Sequence, residues 1–316
     1  MRTLPDFTTA TAPACVGNVA VGFDLLGFAI EGPSDRVTAR RCDQAGVRIV
    51  SIEGLVTELP RDTLANTASR AVDALLRECQ PELGIELSLH KGIPLGSGLG
   101  GSAASATAAV VAVNALLDQP LPQVELYPYA MQGEVAATGA LVGDNVGPQL
   151  IGGLVMALPD RLLSLPVPDN LYAAVVHPDY VVETRQARAV MQAPFSLDEA
   201  LRQQANLSYV LMGLHQSDFD LIRAGLRDVM IEPRRAPLVP GFAAVQQAAL
   251  DEGALGASLS GAGPSLFAWC EGQTQAQAAA SAMVAAFAKH GLSAQAWVST
   301  VQAPGAMLCR SATPND

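Results

Sequence analysis

The segment Ile93-Pro-Leu-Gly-Ser-Gly-Leu-Gly-Gly-Ser-Ala-Ala-Ser runs without a break into an alanine-rich stretch that ends near residue 117. Nothing else in the chain restricts its fold as strongly. Gly96, Gly98, Gly100 and Gly101 open backbone angles that other residues avoid. The alanines after them favour a helix. Just upstream, Ile85-Glu-Leu-Ser-Leu-His alternates apolar with polar residues and predicts a half-buried strand. Strand, glycine loop and helix in that order place unpaired N–H groups and the positive end of a helix dipole beside a loop free of side chains. Such a junction is a phosphate site, and the missing side chains read as room for a polyphosphate. A mobile glycine linker is the plainer alternative, but a linker has no need of so tight a coupling to a helix.

The rest of the chain reads as strands and helices without strict alternation, hence α+β, with mixed sheets and helices packed on them. Segments 36–40 and 47–52 alternate as strands. Asn66 is placed to cap a helix carrying Ala71, Leu75 and Leu76. Helices are expected over 102–117, 123–138, 184–192, 197–215, 219–230, 241–253 and 273–290. Strands are expected over 152–158, 172–177 and 294–301, with a hairpin over 257–270. The 316 residues suit two domains. The segment 160–170, with two prolines, is the boundary, giving domains 1–160 and 161–316.

Composition narrows the partners. The net charge is -11, and the closest approach to a basic patch is Arg234–Arg235. Nucleic acid and anionic membrane are therefore not expected partners. The longest apolar stretch, 103–117, holds Ser105, Thr107 and Asn114, so it is too short and too polar to span a bilayer. The opening Met-Arg-Thr-Leu-Pro-Asp has no apolar core of a signal peptide. Five scattered cysteines without a Cys-x-x-Cys pair, and four histidines without His-x-x-x-His spacing, argue against structural zinc. A cytoplasmic protein with free thiols is expected.

Gly96-x-Gly98-x-x-Gly101 also fits the dinucleotide fingerprint. The fingerprint wants a second strand ending in an acid about 20 residues on. Here Leu121-Pro-Gln-Val-Glu-Leu-Tyr-Pro follows the helix, which is no buried strand. A Walker A loop is excluded because no Lys-Ser/Thr follows the glycines.

The segment from Pro94 to Ser105 instead resembles the phosphate loop of the GHMP small-molecule kinases, P-x-x-x-G-L-G-S-S-A-A, with Gly101 in place of the first serine and Ser102 as the second. Pro13-Ala-Cys-Val-Gly-Asn-Val-Ala-Val-Gly-Phe-Asp-Leu-Leu-Gly resembles the family's substrate motif, departing from it at Cys15, Val16 and Val21. Ser258-Leu-Ser-Gly-Ala-Gly-Pro-Ser-Leu-Phe resembles the third motif. All three stand in family order along the whole chain. The resemblance implies the two-domain GHMP kinase fold, ATP and Mg²⁺ as cofactors, and a homodimer.

Further segments are similar to the homoserine kinases in particular. They are Glu134-Val-Ala-Ala-Thr-Gly-Ala-Leu-Val-Gly-Asp-Asn-Val-Gly-Pro, Thr184-Arg-Gln-Ala-Arg and Glu232-Pro-Arg-Arg-Ala-Pro-Leu-Val-Pro. The implied reaction moves the γ-phosphoryl of ATP onto L-homoserine. Pro94, Leu95, Gly96, Ser97, Gly98, Leu99, Gly100, Gly101, Ser102 and Ala103 would hold the nucleotide. Ser102 and Glu134 offer hard oxygens for Mg²⁺. Arg188 and Arg235 can fork onto a carboxylate. Asp24 can pair with an ammonium and Asn18 can hydrogen-bond beside it, while Asp144 and Asn145 can orient the hydroxyl. The alternatives are another GHMP kinase, for mevalonate, shikimate or a sugar, or a dinucleotide-dependent oxidoreductase.

Overall fold

A computed structural model describes residues 5–182 and 184–309. The first four residues, on which part of the N-terminal reading rests, lie outside it. The strands are β1 (Phe7–Gly17), β2 (Leu26–Cys42), β3 (Gly46–Gly54), β4 (Gly84–Lys91), β5 (Leu154–Ala157), β6 (Leu162–Ser164), β7 (Leu171–Pro178), β8 (Gly256–Leu259), β9 (Leu266–Glu271), β10 (Ala294–Thr300) and β11 (Met307–Leu308). The helices are α1 (Thr67–Cys79), α2 (Gly101–Asn114), α3 (Tyr127–Thr138), α4 (Val146–Ile151), α5 (Thr184–Ala189), α6 (Leu197–Gln216), α7 (Phe219–Gly225), α8 (Glu232–Arg235), α9 (Phe242–Asp251) and α10 (Gln273–Lys289).

Two sheets result, the first mixed and the second antiparallel. One sheet runs β11-β1-β2-β4-β3, with β5 on β2 and β6 on β5. The other runs β10-β7-β9-β8. Among the described residues only β3 and β4 pair in parallel, joined through α1. Asn66 caps α1 as expected, accepting from Ala68 N at 3.0 Å. The alanines of α2 serve packing: residues 103–113 are all buried, which only small side chains allow on every face of one helix. Phe28 of β2 meets Phe267 and Trp269 of β9, each at 5.8 Å between ring centroids, so one hydrophobic core joins both sheets. A second core lies under α9 and α10.

Several expected bounds shift for local reasons. The helix expected over 219–230 ends at Gly225, because Asp228 captures the N–H groups of Met230, Ile231 and Glu232 at 2.8–3.0 Å and starts α8. The helix expected from 123 begins as a 3-10 turn, Gln123–Leu126, before Pro128. α4, α8, β6 and β11 were not expected at all.

Candidate active site

The glycine loop, the N-terminus of α2 and the turn between β8 and β9 enclose a cavity of about 700 Å³. Gly96, Gly98 and Gly100 all take positive φ, at 63°, 77° and 71°. The reason for their being glycine is partly other than expected. A Cβ on Gly98 would lie 2.4 Å from Ser260 O and 2.7 Å from Gly263 O, and one on Gly100 would lie 2.6 Å from Cys15 Sγ. The space left by these two missing side chains is thus filled by the protein itself. Ser260 Oγ donates to Gly98 O at 2.7 Å and Ser265 Oγ to Ser97 O at 2.6 Å, binding the third motif to the first loop. Backbone obstruction cannot be relieved by a rotamer change. Gly98→Ala is therefore expected to lose about 2–4 kcal/mol of stability, left-handed strain and overpacking together. Gly101→Ala, whose Cβ would come no nearer than 3.2 Å to the Ile93 side chain and 3.7 Å to Ile93 O, should lose far less. Urea unfolding of both variants checks this.

Beneath the loop lies a polar cluster that the sequence reading missed. Lys91 donates to Asp35, to Ser105 Oγ (2.6 Å) and to Gly101 O (2.7 Å). Ser105 donates to Asp35 at 2.7 Å, and the N–H groups of Gly92 and Ile93 donate to the other Asp35 oxygen. Lys91 and Asp35 are both buried, so each charge depends on the other and on this complete set of hydrogen bonds. Lys91 also faces the cavity. A signal was available: the chain has only two lysines, and one of them directly precedes the glycine loop.

At the loop's far end sits a carboxylate pair. Glu134 is buried and hydrogen-bonded to Ser102; burial raises it to about 7, against the pull of Ser102 and Lys91. Asp144 is buried as well and is also raised to about 7, first by burial and then by Asp24 and Glu134. It accepts from Asn18 N at 3.2 Å and from Asn145 Nδ2 at 3.2 Å. Asn18, Val19 and Ala20 carry φ of 70°, 44° and 55°, three successive left-handed residues other than glycine. Such strain persists only where the surroundings hold it, here by Asn18 Nδ2 donating to Gly261 O at 2.8 Å and Asn18 Oδ1 accepting from Asp24 N at 3.0 Å.

The third group is charged. Asp24 is raised by burial but held back by Arg188 and Arg235. Arg235 is 4% exposed, donates to Ala187 O (3.3 Å) and Gly261 O (3.1 Å), and lies 5.1 Å from the Phe23 ring centroid. Arg188 Nε is buried without a hydrogen-bond partner among the described residues. A buried guanidinium N–H without a partner among the described residues, beside a cavity, suits an incoming anion.

The cavity wall thus brings together Asn18, Asp24, Pro94, Leu95, Gly96, Ser97, Gly98, Gly100, Gly101, Ser102, Glu134, Asp144, Asn145, Arg188 and Arg235. Leu99 and Ala103 are not on it. Both are fully buried, with Leu99 O tied to Cys15 N. Lys91, Asn66 and Gly261 are on the wall and were not among the expected site residues. The dinucleotide reading fails on topology: no parallel strand follows α2, and the next strand, β5, pairs antiparallel with β2. Among the described residues no group of three or more His, Cys, Asp or Glu could hold a metal, and no helix is long and apolar enough to cross a membrane.

The profile of the GHMP kinases N terminal domain matches residues 66–153, and that of the GHMP kinases C terminal domain matches 210–289. The homoserine kinase of Xylella fastidiosa (strain M12) is 52% identical over 299 residues, spanning 95% of this chain and 93% of that one. The homoserine kinase of Chlorobium phaeobacteroides is 42% identical, spanning 98% and 100%. The crystal structure of homoserine kinase from Cytophaga hutchinsonii superposes with a TM-score of 0.94 at 42% identity, covering 98% and 99%. With the loop, the carboxylate pair and the arginine cluster in one cavity, and with relatives this similar over nearly the whole length, the chain belongs to the homoserine kinase family of the GHMP kinases.

Proposed function

We propose that the protein transfers the γ-phosphoryl group of ATP to the hydroxyl of L-homoserine, giving O-phospho-L-homoserine for threonine synthesis in the cytoplasm. One observation carries the reading: a single cavity is lined both by a glycine loop with a helix N-terminus and by Asp24, Arg188 and Arg235. The first suits a polyphosphate and the second an amino acid's ammonium and carboxylate. Mevalonate and sugars lack that ammonium, so Asp24 would face them unpaired. The five free cysteines suit a reducing compartment.

In this reading the N–H groups of the loop and of the first turn of α2 bind the phosphates. Arg188 and Arg235 hold the carboxylate and Asp24 the ammonium, which points the side-chain hydroxyl at Asp144 and Asn145. The hydroxyl oxygen then bonds to phosphorus, and ADP leaves. Asp144, held at about 7, accepts the hydroxyl's hydrogen bond and can take its proton as charge develops. The residues also fit Mg²⁺. Ser102 and Glu134 put two hard oxygens together beside the loop, and a buried carboxylate raised to about 7 gains from a cation at its side. When bound, the ion neutralises charge on the phosphates. Incubation with ATP, Mg²⁺ and L-homoserine is expected to yield a new phosphomonoester by phosphorus NMR. A phosphomonoester formed with a different alcohol, and none with homoserine, would reassign the substrate.

A further inference from the structure

Between the loop and the carboxylate pair sits a buried thiol that the reaction as described does not use. Cys15, near the end of β1, is fully buried. Its Sγ lies 3.2 Å from Asn145 Oδ1, with the thiol as donor. The other end of that carboxamide, Nδ2, donates to Asp144 Oδ1 at 3.2 Å. We propose that Cys15 is a positioning residue for phosphoryl transfer: its S–H fixes the orientation of the Asn145 carboxamide, and through it the Asp144 carboxylate. The proposal rests on the reading that Asp144 and Asn145 orient the acceptor hydroxyl.

The argument is one of donors and acceptors. A carboxamide has an oxygen that only accepts and a nitrogen that only donates. Rotated by half a turn, Asn145 would set its NH₂ against the thiol hydrogen and its oxygen against the Asp144 carboxylate. The carboxamide oxygen would then oppose the carboxylate, and the NH₂ would have only the weakly accepting sulfur to donate to, in a half-buried place. The S–H therefore selects one of two otherwise similar rotamers. It can do so only while protonated. Burial, and then the charges of Asp144 and Glu134, push the thiol well above its ordinary value, so it remains a donor throughout the neutral range.

The surrounding backbone is shaped for this chain of contacts. A Cβ on Gly17 would lie 2.6 Å from Asp144 Oδ2 and 3.0 Å from Asn145 Oδ1. A Cβ on Gly100 would lie 2.6 Å from Cys15 Sγ and 3.1 Å from Asn145 Oδ1. Two glycines thus leave room on both sides of the thiol–carboxamide pair. Asp144 is held on its second oxygen by Asn18 N, so loss of the Asn145 contact would free one edge of the carboxylate and leave the other fixed.

The test compares Cys15→Ala with Cys15→Ser. Alanine removes the γ atom and its donor, while serine keeps a γ atom and a donor. Alanine is expected to lower kcat about three- to tenfold, the scale of one neutral hydrogen bond. The KM values for ATP and for homoserine should stay within about twofold. Serine should recover most of the loss in kcat, whatever the melting temperatures of the two variants. If Cys15→Ala does not fold, Cys15→Val, which fills the space without a donor, takes its place. A serine variant as slow as alanine, or an alanine variant as fast as the unmodified enzyme, overturns the proposal. An unmodified enzyme that makes no phosphohomoserine overturns the underlying functional reading instead.

Discussion

Glu134→Gln is expected to slow phosphoryl transfer by about 10²–10³-fold, the usual loss on removing one preorganised charge-stabilising group, and at the same time to raise the melting temperature of the ligand-free protein. The two effects share a cause. Glu134 is 3% exposed, and burial raises it from 4.5 to about 7. Between those values the folded chain binds a proton that the unfolded chain has released. Folding stability therefore falls as pH rises through that window and stays lowered above it. Asp144, raised from 3.8 to about 7, acts in the same direction. Glutamine keeps the shape and carries no charge, so at pH 8 it should recover on the order of 1–3 kcal/mol of folding free energy. The carboxylate is thus retained at a cost to the empty protein, which a bound cation would offset. Melting curves at pH 6 and pH 8 with turnover at saturating Mg²⁺ check both halves. A variant that is less stable at pH 8 and nearly as fast would place Glu134 outside the phosphate end of the site.

What the sequence disclosed depended on how local the cause was. Asn66 capping α1, the alternation in β4 and the alanines of α2 each follow from a few neighbouring residues, and each held. The fold class followed from the same patterns. Residues such as Lys91 and Asp35 are 56 positions apart and meet only because β2 and β4 are antiparallel neighbours, pairing Arg36 with His90. No spacing rule reports that. The glycines were read correctly as special but for an incomplete reason, because the turn at Ser260–Gly263 that packs on Gly98 lies more than 160 residues away. Likewise β11 is two residues long and pairs with β1, so its own pattern is too short to register as a strand.

Arg235→Lys should raise the homoserine KM about ten- to hundredfold while leaving the ATP KM nearly unchanged. Arg235 already spends two donors on protein carbonyls, Ala187 O and Gly261 O, and its plane faces Phe23. Those contacts hold the guanidinium on the cavity wall and leave further donors for a ligand. Lysine keeps the charge but has no plane and no fork. A carboxylate contact weakened by about 1.5–3 kcal/mol gives the stated change in KM. The interaction exists before and during transfer, so kcat should fall less than kcat/KM. ATP should be spared because, in the proposed reading, its phosphates bind the N–H groups of the loop and of the first turn of α2, not Arg235. Arg234 provides the contrast. It donates to Ala193 O and to Pro194 O (3.1 Å), stacks 3.8 Å from the centroid of Phe195, and is not on the cavity wall. Arg234→Lys should therefore lower thermal stability modestly and leave the homoserine KM within about twofold. Equal shifts in homoserine KM for the two variants, or an ATP KM that moves as far as the homoserine KM, would remove Arg235 from the substrate carboxylate.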